Sequence, residues 1–96
     1  MEIKVKWSAQ ANLGLIKVLE YLSEEWTSKE IKNLQIAIED AIKNIKRFPE
    51  LFPASKSNPN LRKAIIDKNN YMIYKVDRET KTIFIINFRG TKQRPL

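Results

Sequence analysis

The chain has 96 residues and a formal net charge of +7, with no cysteine and no histidine. This length suits one domain that buries its own core, and the composition excludes disulfides and leaves no histidine or cysteine to bind a transition metal. We therefore expect a single domain, residues 1–96, without a metal or a cofactor. We also expect it to be cytoplasmic, because no apolar run is long enough for a signal core or a membrane span.

The positive charge is confined to the second half of the chain. Residues 1–55 hold eight basic and eight acidic residues, whereas residues 56–96 hold ten basic residues and three acidic ones. Such a surplus creates a directed field that attracts phosphate-rich or acidic partners. We therefore expect these cations to form one exposed patch that binds a negatively charged macromolecule.

The chain begins with a predicted strand. Residues 2–7 alternate, with Ile3, Val5 and Trp7 on one face, which is typical of a half-buried strand. Trp7 is expected to pack at the corner between this strand and the following helix. Ser8 is a suitable N-cap for that helix, which is predicted to begin at Ala9.

Two amphipathic helices are predicted next. The apolar stripe of the first helix is predicted to contain Leu13, Ile16, Leu19, Leu22 and Trp26. The second helix is predicted to end before Pro49, and its apolar positions are Ile31, Leu34, Ile38, Ile42 or Ala41, Ile45 and Phe48. Because the connection between them is short, the two helices are expected to form an antiparallel hairpin.

The second half predicts a long loop and three short strands. Residues 49–60 contain three prolines and lack periodicity, and a loop of this length is a candidate functional segment. Strands are predicted at residues 61–66, 71–76 and 82–88, joined by turn-forming residues into an antiparallel meander. Tyr71 and Tyr74 fall on opposite faces of their strand, so one should be buried and the other exposed. A basic tail follows at residues 89–96.

This order predicts an α+β fold, βααβββ. We expect the helical hairpin to pack on a twisted antiparallel sheet of about four strands. The first strand should pair with a later strand, because its backbone groups need hydrogen-bonding partners.

Several local patterns occur in this same order. Trp7-Ser8 joins strand to helix, Leu61-Arg62 opens a strand after a proline-rich loop, and a strand containing Tyr71 and Tyr74 precedes a basic ending. Together these features resemble the RelE/ParE superfamily of bacterial toxins, and the resemblance covers nearly the whole chain. It implies a toxin of a type II toxin–antitoxin system, neutralised by a cognate antitoxin that is acidic and partly disordered.

The superfamily resemblance implies two alternative activities. RelE-like members cut messenger RNA on the ribosome, and in this chain the candidate catalytic residues would be Lys56, Arg62, Arg89 and Arg94. RelE-like nucleases place an arginine shortly before their third strand and a tyrosine in the tail. The stretch before Asn70 contains no arginine and no tyrosine follows Tyr74, so the nuclease set is incomplete.

ParE-like members bind DNA gyrase and trap its cleavage complex without a chemical step of their own. The ending of this chain is similar to theirs, so the ParE branch is the favoured interpretation and the ribosome-dependent endonuclease is the alternative. A third alternative is a degenerate member that only binds its antitoxin. The predicted target-binding residues are Arg62, Lys63, Arg89, Lys92 and Arg94.

The antitoxin is expected to contact the apolar grooves of the helices and to cover the basic face. The predicted antitoxin-binding residues are Leu13, Ile16, Trp26 and Leu34.

Overall fold

The structure, a computed structural model, describes residues 3–25 and 28–90, except for the side chain of Glu25. Its elements follow the predicted order βααβββ. They are β1 (Lys4–Trp7), α1 (Ala9–Glu25), α2 (Ser28–Arg47), β2 (Arg62–Asp67), β3 (Asn70–Asp77) and β4 (Thr82–Gly90). The predicted α+β class and the predicted number of strands are confirmed.

The four strands form one mixed sheet in the order β1-β4-β3-β2. Strands β2, β3 and β4 form the predicted antiparallel meander, and β1 pairs with a later strand as expected. That pairing with β4 is parallel, however, so the sheet is not antiparallel throughout. In a meander of three strands, β4 runs in the same direction as β2. Strand β1 also runs in this direction, so its pairing with β4 is parallel.

Ser8 fixes the start of α1 and joins it to the sheet. Its hydroxyl accepts a hydrogen bond from the Ala11 amide at 2.9 Å, which confirms the predicted N-cap. The same hydroxyl donates to the Ile86 carbonyl at 2.7 Å, and the Ser8 amide donates to the Ile85 carbonyl at 2.9 Å. One residue therefore caps the helix and attaches it to β4.

The buried face of α1 differs from the predicted stripe. Ala11 and Val18 are buried, whereas Leu13 and Ile16 are 59% and 48% exposed. The predicted positions from Leu13 to Leu22 recur every three residues, and a helix of 3.6 residues per turn rotates such a series steadily around its axis. Leu13 and Leu22 therefore fall on opposite sides of the helix, and only the second packs against the core.

The buried face of α2 agrees with its periodicity. Leu34, Ile38, Ala41 and Ile45 are buried in this helix. Phe48 was predicted to continue the stripe, but it follows the last helical residue and is 58% exposed. The described helices include none that is long and apolar enough to cross a bilayer.

The core lies between the helices and one face of the sheet. The largest fully buried side chains come from α2, β3 and β4, and they are Ile45, Met72, Tyr74, Ile83, Ile85 and Phe88. The Trp7 ring stacks on the Phe88 ring at a centroid distance of 6.3 Å, at the predicted corner between β1 and α1. The helices cover this face and leave the opposite face of the sheet uncovered.

Candidate functional site

The uncovered face of the sheet carries alternating cations and apolar or aromatic side chains. In β3, Met72 and Tyr74 are buried against the helices, so Tyr71, Ile73 and Lys75 project to the other side. Strand register brings their neighbours onto the same side. We call this surface the open face, and define it by Lys6, Lys63, Ile65, Tyr71, Ile73, Lys75, Phe84 and Arg89.

Two lysines on the open face contact aromatic rings. The Lys63 Nζ lies 4.3 Å from the centroid of the Tyr71 ring, and the Lys75 Nζ lies 5.5 Å from the centroid of the Phe84 ring. An ammonium group at such a distance is attracted by the electrons of the ring. The rings therefore hold both lysines close to the sheet while leaving their charge accessible to solvent.

Neither acid of β2, β3 or β4 forms a described ion pair with Lys63, Lys75 or Arg89, and both accept hydrogen bonds in turns. Asp67 Oδ1 accepts hydrogen bonds from the Asn69 amide and from Asn70 Nδ2. Asp77 Oδ1 accepts from the amides of Glu79 and Thr80. The charge of the open face in these three strands is therefore positive.

Arg62 lies on the opposite side of the sheet from Lys63. Its Nη1 donates a hydrogen bond to the Phe52 carbonyl at 2.6 Å and a longer one to the Glu50 carbonyl at 3.4 Å. Arg62 was predicted to take part in target binding or catalysis. In the structure its Nη1 binds the backbone of the long loop.

Tyr74 fixes the same loop from beneath. Its hydroxyl donates to the Pro49 carbonyl at 2.9 Å, and its ring meets the Phe52 ring edge-on at 6.4 Å. Burial raises the pKa of the Tyr74 hydroxyl, although the Phe52 backbone and the Arg62 charge act in the opposite direction. The proline-rich loop is therefore anchored at its start by a buried phenol and a guanidinium.

Two of the candidate nuclease residues besides Arg62 lie among the described residues. Lys56 is exposed in the loop and Arg89 is exposed near the end of β4. Arg94, like Lys92 of the predicted target-binding set, lies outside the described residues.

The cations of residues 56–96 are gathered only in part. Lys63, Lys75 and Arg89 share the open face with Lys6, whereas Arg62 faces the loop. Arg78 forms an ion pair with Glu50. The expected patch is thus formed by some members of the predicted set together with one lysine from the first half of the chain.

The predicted antitoxin-binding residues occupy different environments. Leu13 and Ile16 are exposed on the side of α1 that faces away from the sheet, whereas Leu34 is only 3% exposed. Leu34 lies at the apolar wall of a cavity of about 260 Å³ between α1, α2 and the turn from β2 to β3. Trp26 lies outside the described residues.

The sequence decides the family. A family model, described as the ParE toxin of the type II toxin–antitoxin system parDE, matches residues 5–95. The chain belongs to this family. A comparison with curated proteins found no match.

Solved structures share the fold of this ParE-family toxin. A YoeB/ParE toxin from Agrobacterium tumefaciens has a TM-score of 0.66 at 17% identity, and the match covers 92% of this chain and 98% of that one. The RelBE2 toxin–antitoxin complex from Mycobacterium tuberculosis gives 0.65 at 16% identity, covering 94% and 99%. A chromosomal ParDE system from P. aeruginosa gives 0.62 at 16% identity, covering 95% and 98%.

Most of the open face of this ParE-family toxin was not predicted from the sequence. Lys6, Tyr71, Lys75 and Phe84 were not predicted as site residues, although Lys63 and Arg89 were. The alternation in β3 was a usable signal, because it already separated Tyr71 from Tyr74. What the sequence lacked was the register, which brings Lys75 and Lys6 beside Phe84.

Proposed function

We propose that this ParE-family toxin inhibits growth by binding DNA gyrase, and that a cognate antitoxin neutralises it. The observation that supports this branch over the nuclease is the incomplete catalytic set, since residues 64–69 before β3 contain no arginine and no tyrosine follows Tyr74. An RNA-cleaving site needs a general base and a cation free to stabilise the phosphate. The chain has no histidine for the first role, and the Arg62 Nη1 is bound to loop carbonyls.

Arg89 is the described residue best placed to contact gyrase. It is exposed near the end of β4, and the predicted target-binding residues Lys92 and Arg94 follow it in the sequence. A cation on a rigid strand is held in position more firmly than one on a loop, which favours a specific contact with a protein surface.

A supercoiling assay with purified proteins tests the proposal. The toxin should inhibit gyrase and cause cleaved DNA to accumulate, and Arg89→Gln should weaken this effect. Lys43→Gln is the matched control, because it removes the same charge from an exposed position on α2. Undiminished gyrase activity with a well-folded toxin in excess would contradict the proposal.

The alternative activity is tested in cells that express the toxin. Primer extension on messenger RNA after toxin induction reports new 5′ ends within codons if the chain is a ribosome-dependent endonuclease. The gyrase proposal predicts no such ends, and instead predicts induction of the DNA-damage response. New ends that disappear with Lys56→Gln would support the nuclease. A toxin that has no effect on growth would favour the degenerate alternative.

The antitoxin proposal rests on charge and on exposed apolar groups. Two structurally similar proteins, from Mycobacterium tuberculosis and Staphylococcus aureus, were solved in complexes with antitoxins. In this chain, Leu13 and Ile16 offer apolar contacts on α1, and the net charge of +7 favours an acidic partner. The product of the adjacent reading frame should co-purify with the toxin and restore growth when both are expressed.

A further inference from the structure

The open face combines exposed cations with aromatic rings, and neither the antitoxin nor the gyrase proposal gives the rings a role. Lys6, Lys63, Lys75 and Arg89 are all exposed on it. Two aromatic rings, those of Tyr71 and Phe84, lie among these cations on the middle strands β3 and β4. The helices cover only the other face of the sheet, so among the described residues no element shields this one.

The spacing of the rings defines an extended surface. Lys75 pairs with Phe84, and Tyr71 lies four residues before Lys75 on the same strand. With a rise of about 3.3 Å per residue and neighbouring strands 4.8 Å apart, the Cα atoms of Tyr71 and Phe84 are roughly 14 Å apart. This distance suits a chain-like ligand that crosses the sheet more than a single small molecule.

Each ring has a lysine ammonium over its face, so a base that stacks on the ring would take the place of that ammonium, which could then meet a phosphate of the same strand. Lys63 accompanies Tyr71 at 4.3 Å, Lys75 accompanies Phe84 at 5.5 Å, and strand pairing places Arg89 beside Tyr71 and Lys6 beside Phe84. Aromatic rings stack on nucleobases, and cations next to them attract the phosphates of the same strand. An acidic peptide would use the cations and leave the rings without a matching partner.

We propose that the open face binds single-stranded DNA, with bases stacked on Tyr71 and Phe84 and phosphates bound by the surrounding cations. The side chains between these groups favour DNA over RNA. Ile65 is 53% exposed and Ile73 lies beside Lys63, so the surface of the sheet between the cations is apolar. A ribose 2′-hydroxyl placed against isoleucine would lose hydrogen bonds to water without replacement. This binding does not depend on gyrase being the target.

Binding is measured with purified toxin and a labelled thymine oligonucleotide of about 12 nucleotides, at several salt concentrations. Tyr71→Leu and Phe84→Leu keep an apolar side chain at each position and remove the ring. Each should raise the dissociation constant about tenfold. Lys63→Gln with Lys75→Gln should also lower the slope of log K against log salt by about 0.7 per lysine.

The matched control carries Lys43→Gln with Lys46→Gln, which removes two exposed charges from α2. It should bind nearly as well as the parent chain, and equal weakening by both pairs would overturn the proposal. Because the lysine variants alter only exposed residues, they test whether the open face binds DNA even if a ring variant unfolds.

An RNA oligonucleotide or a polyglutamate peptide that binds as tightly as the DNA would overturn the proposal as well, and would identify an RNA-binding or an acidic-protein-binding face. Supercoiling inhibition that survives in the ring variants would leave the gyrase proposal intact while DNA binding is lost.

Discussion

The Cα of Gly14 in α1 lies against the backbone carbonyl of Phe88 in β4. A Cβ atom added at position 14 would be 2.1 Å from the Phe88 oxygen and 3.1 Å from its carbonyl carbon. Real Cβ atoms do not approach backbone this closely, so the helix and the strand could not keep their separation. Gly14 is therefore the residue that permits α1 to pack directly on the sheet.

Gly14→Ala should destabilise the protein. Alanine is favoured over glycine in a helix by about 1 kcal/mol, so a helix without this contact would gain stability from the change. Here the overpacking should outweigh that gain and lower the free energy of unfolding by about 2 kcal/mol. Urea unfolding followed by circular dichroism measures it. Asn12→Ala on the exposed side of α1 is the control, and equal or higher stability for Gly14→Ala would contradict the packing argument.

Arg62→Gln should loosen the long loop. The change removes the bonds from Nη1 to the carbonyls of Phe52 and Glu50, and should lower the free energy of unfolding by about 1 kcal/mol. Limited proteolysis should then cut residues 49–61 faster. Lys63→Gln removes the same charge from the neighbouring position on the open face and should leave proteolysis unchanged. Equal cleavage rates in the parent and the Arg62 variant would show that the guanidinium does not hold the loop.

Stability should fall at alkaline pH because of Tyr74. Its folded pKa is raised above the ordinary value of about 10, so the folded state holds the proton more tightly than the unfolded chain. This contribution is complete below that ordinary value and is lost as the pH rises through the folded pKa.

The variant Tyr74→Phe isolates this effect. It should be less stable than the parent by about 1 kcal/mol near neutral pH, because the hydrogen bond to Pro49 is lost. Denaturant unfolding at about pH 8 and about pH 11 should show the difference shrinking or reversing at the higher value. Tyr71→Phe serves as the control on the other face of β3. A difference that does not change with pH would contradict a role for the buried hydroxyl.

Leu13→Asp with Ile16→Asp should weaken antitoxin binding without unfolding the toxin. Both side chains are about half exposed or more, so the substitutions should leave the core intact. If an apolar part of the antitoxin covers them, affinity measured by calorimetry should fall about tenfold or more. Lys17→Asp, on an exposed position of the same helix, separates the loss of apolar contact from the added negative charge. Affinity that responds only to Lys17 would place the antitoxin elsewhere.

The sequence predicted those features that depend on local chemistry. Ser8 caps α1 because its hydroxyl reaches an amide three residues later, and the alternation around Tyr71 and Tyr74 assigned one ring to each face. The order of elements followed from periodicity and turn residues in the same way. Each of these inferences concerns groups within a few residues of one another.

The sequence could not predict features set by tertiary packing. Leu13 and Ile16 are as apolar as core residues, and the side of α1 that faces the sheet is shown by the burial of Ala11 and Val18 and by the contact between Gly14 and Phe88. The role of Arg62 depends on carbonyl groups ten and twelve residues earlier, whose direction depends on the path of the loop. Likewise, the open face exists only once the register between strands is fixed.

The central place of β4 has a consequence for how the toxin is made. It pairs with β1 on one side and β3 on the other, and α1 packs across it, so Lys4 meets Thr82 only when most of the polypeptide is available. A product truncated before Thr82 would expose two amphipathic helices and a lone hairpin, which have too little covered surface to be stable. Incomplete translation products should thus be degraded by cellular proteases. Only full-length chains would then fold and have toxic activity in the host cell.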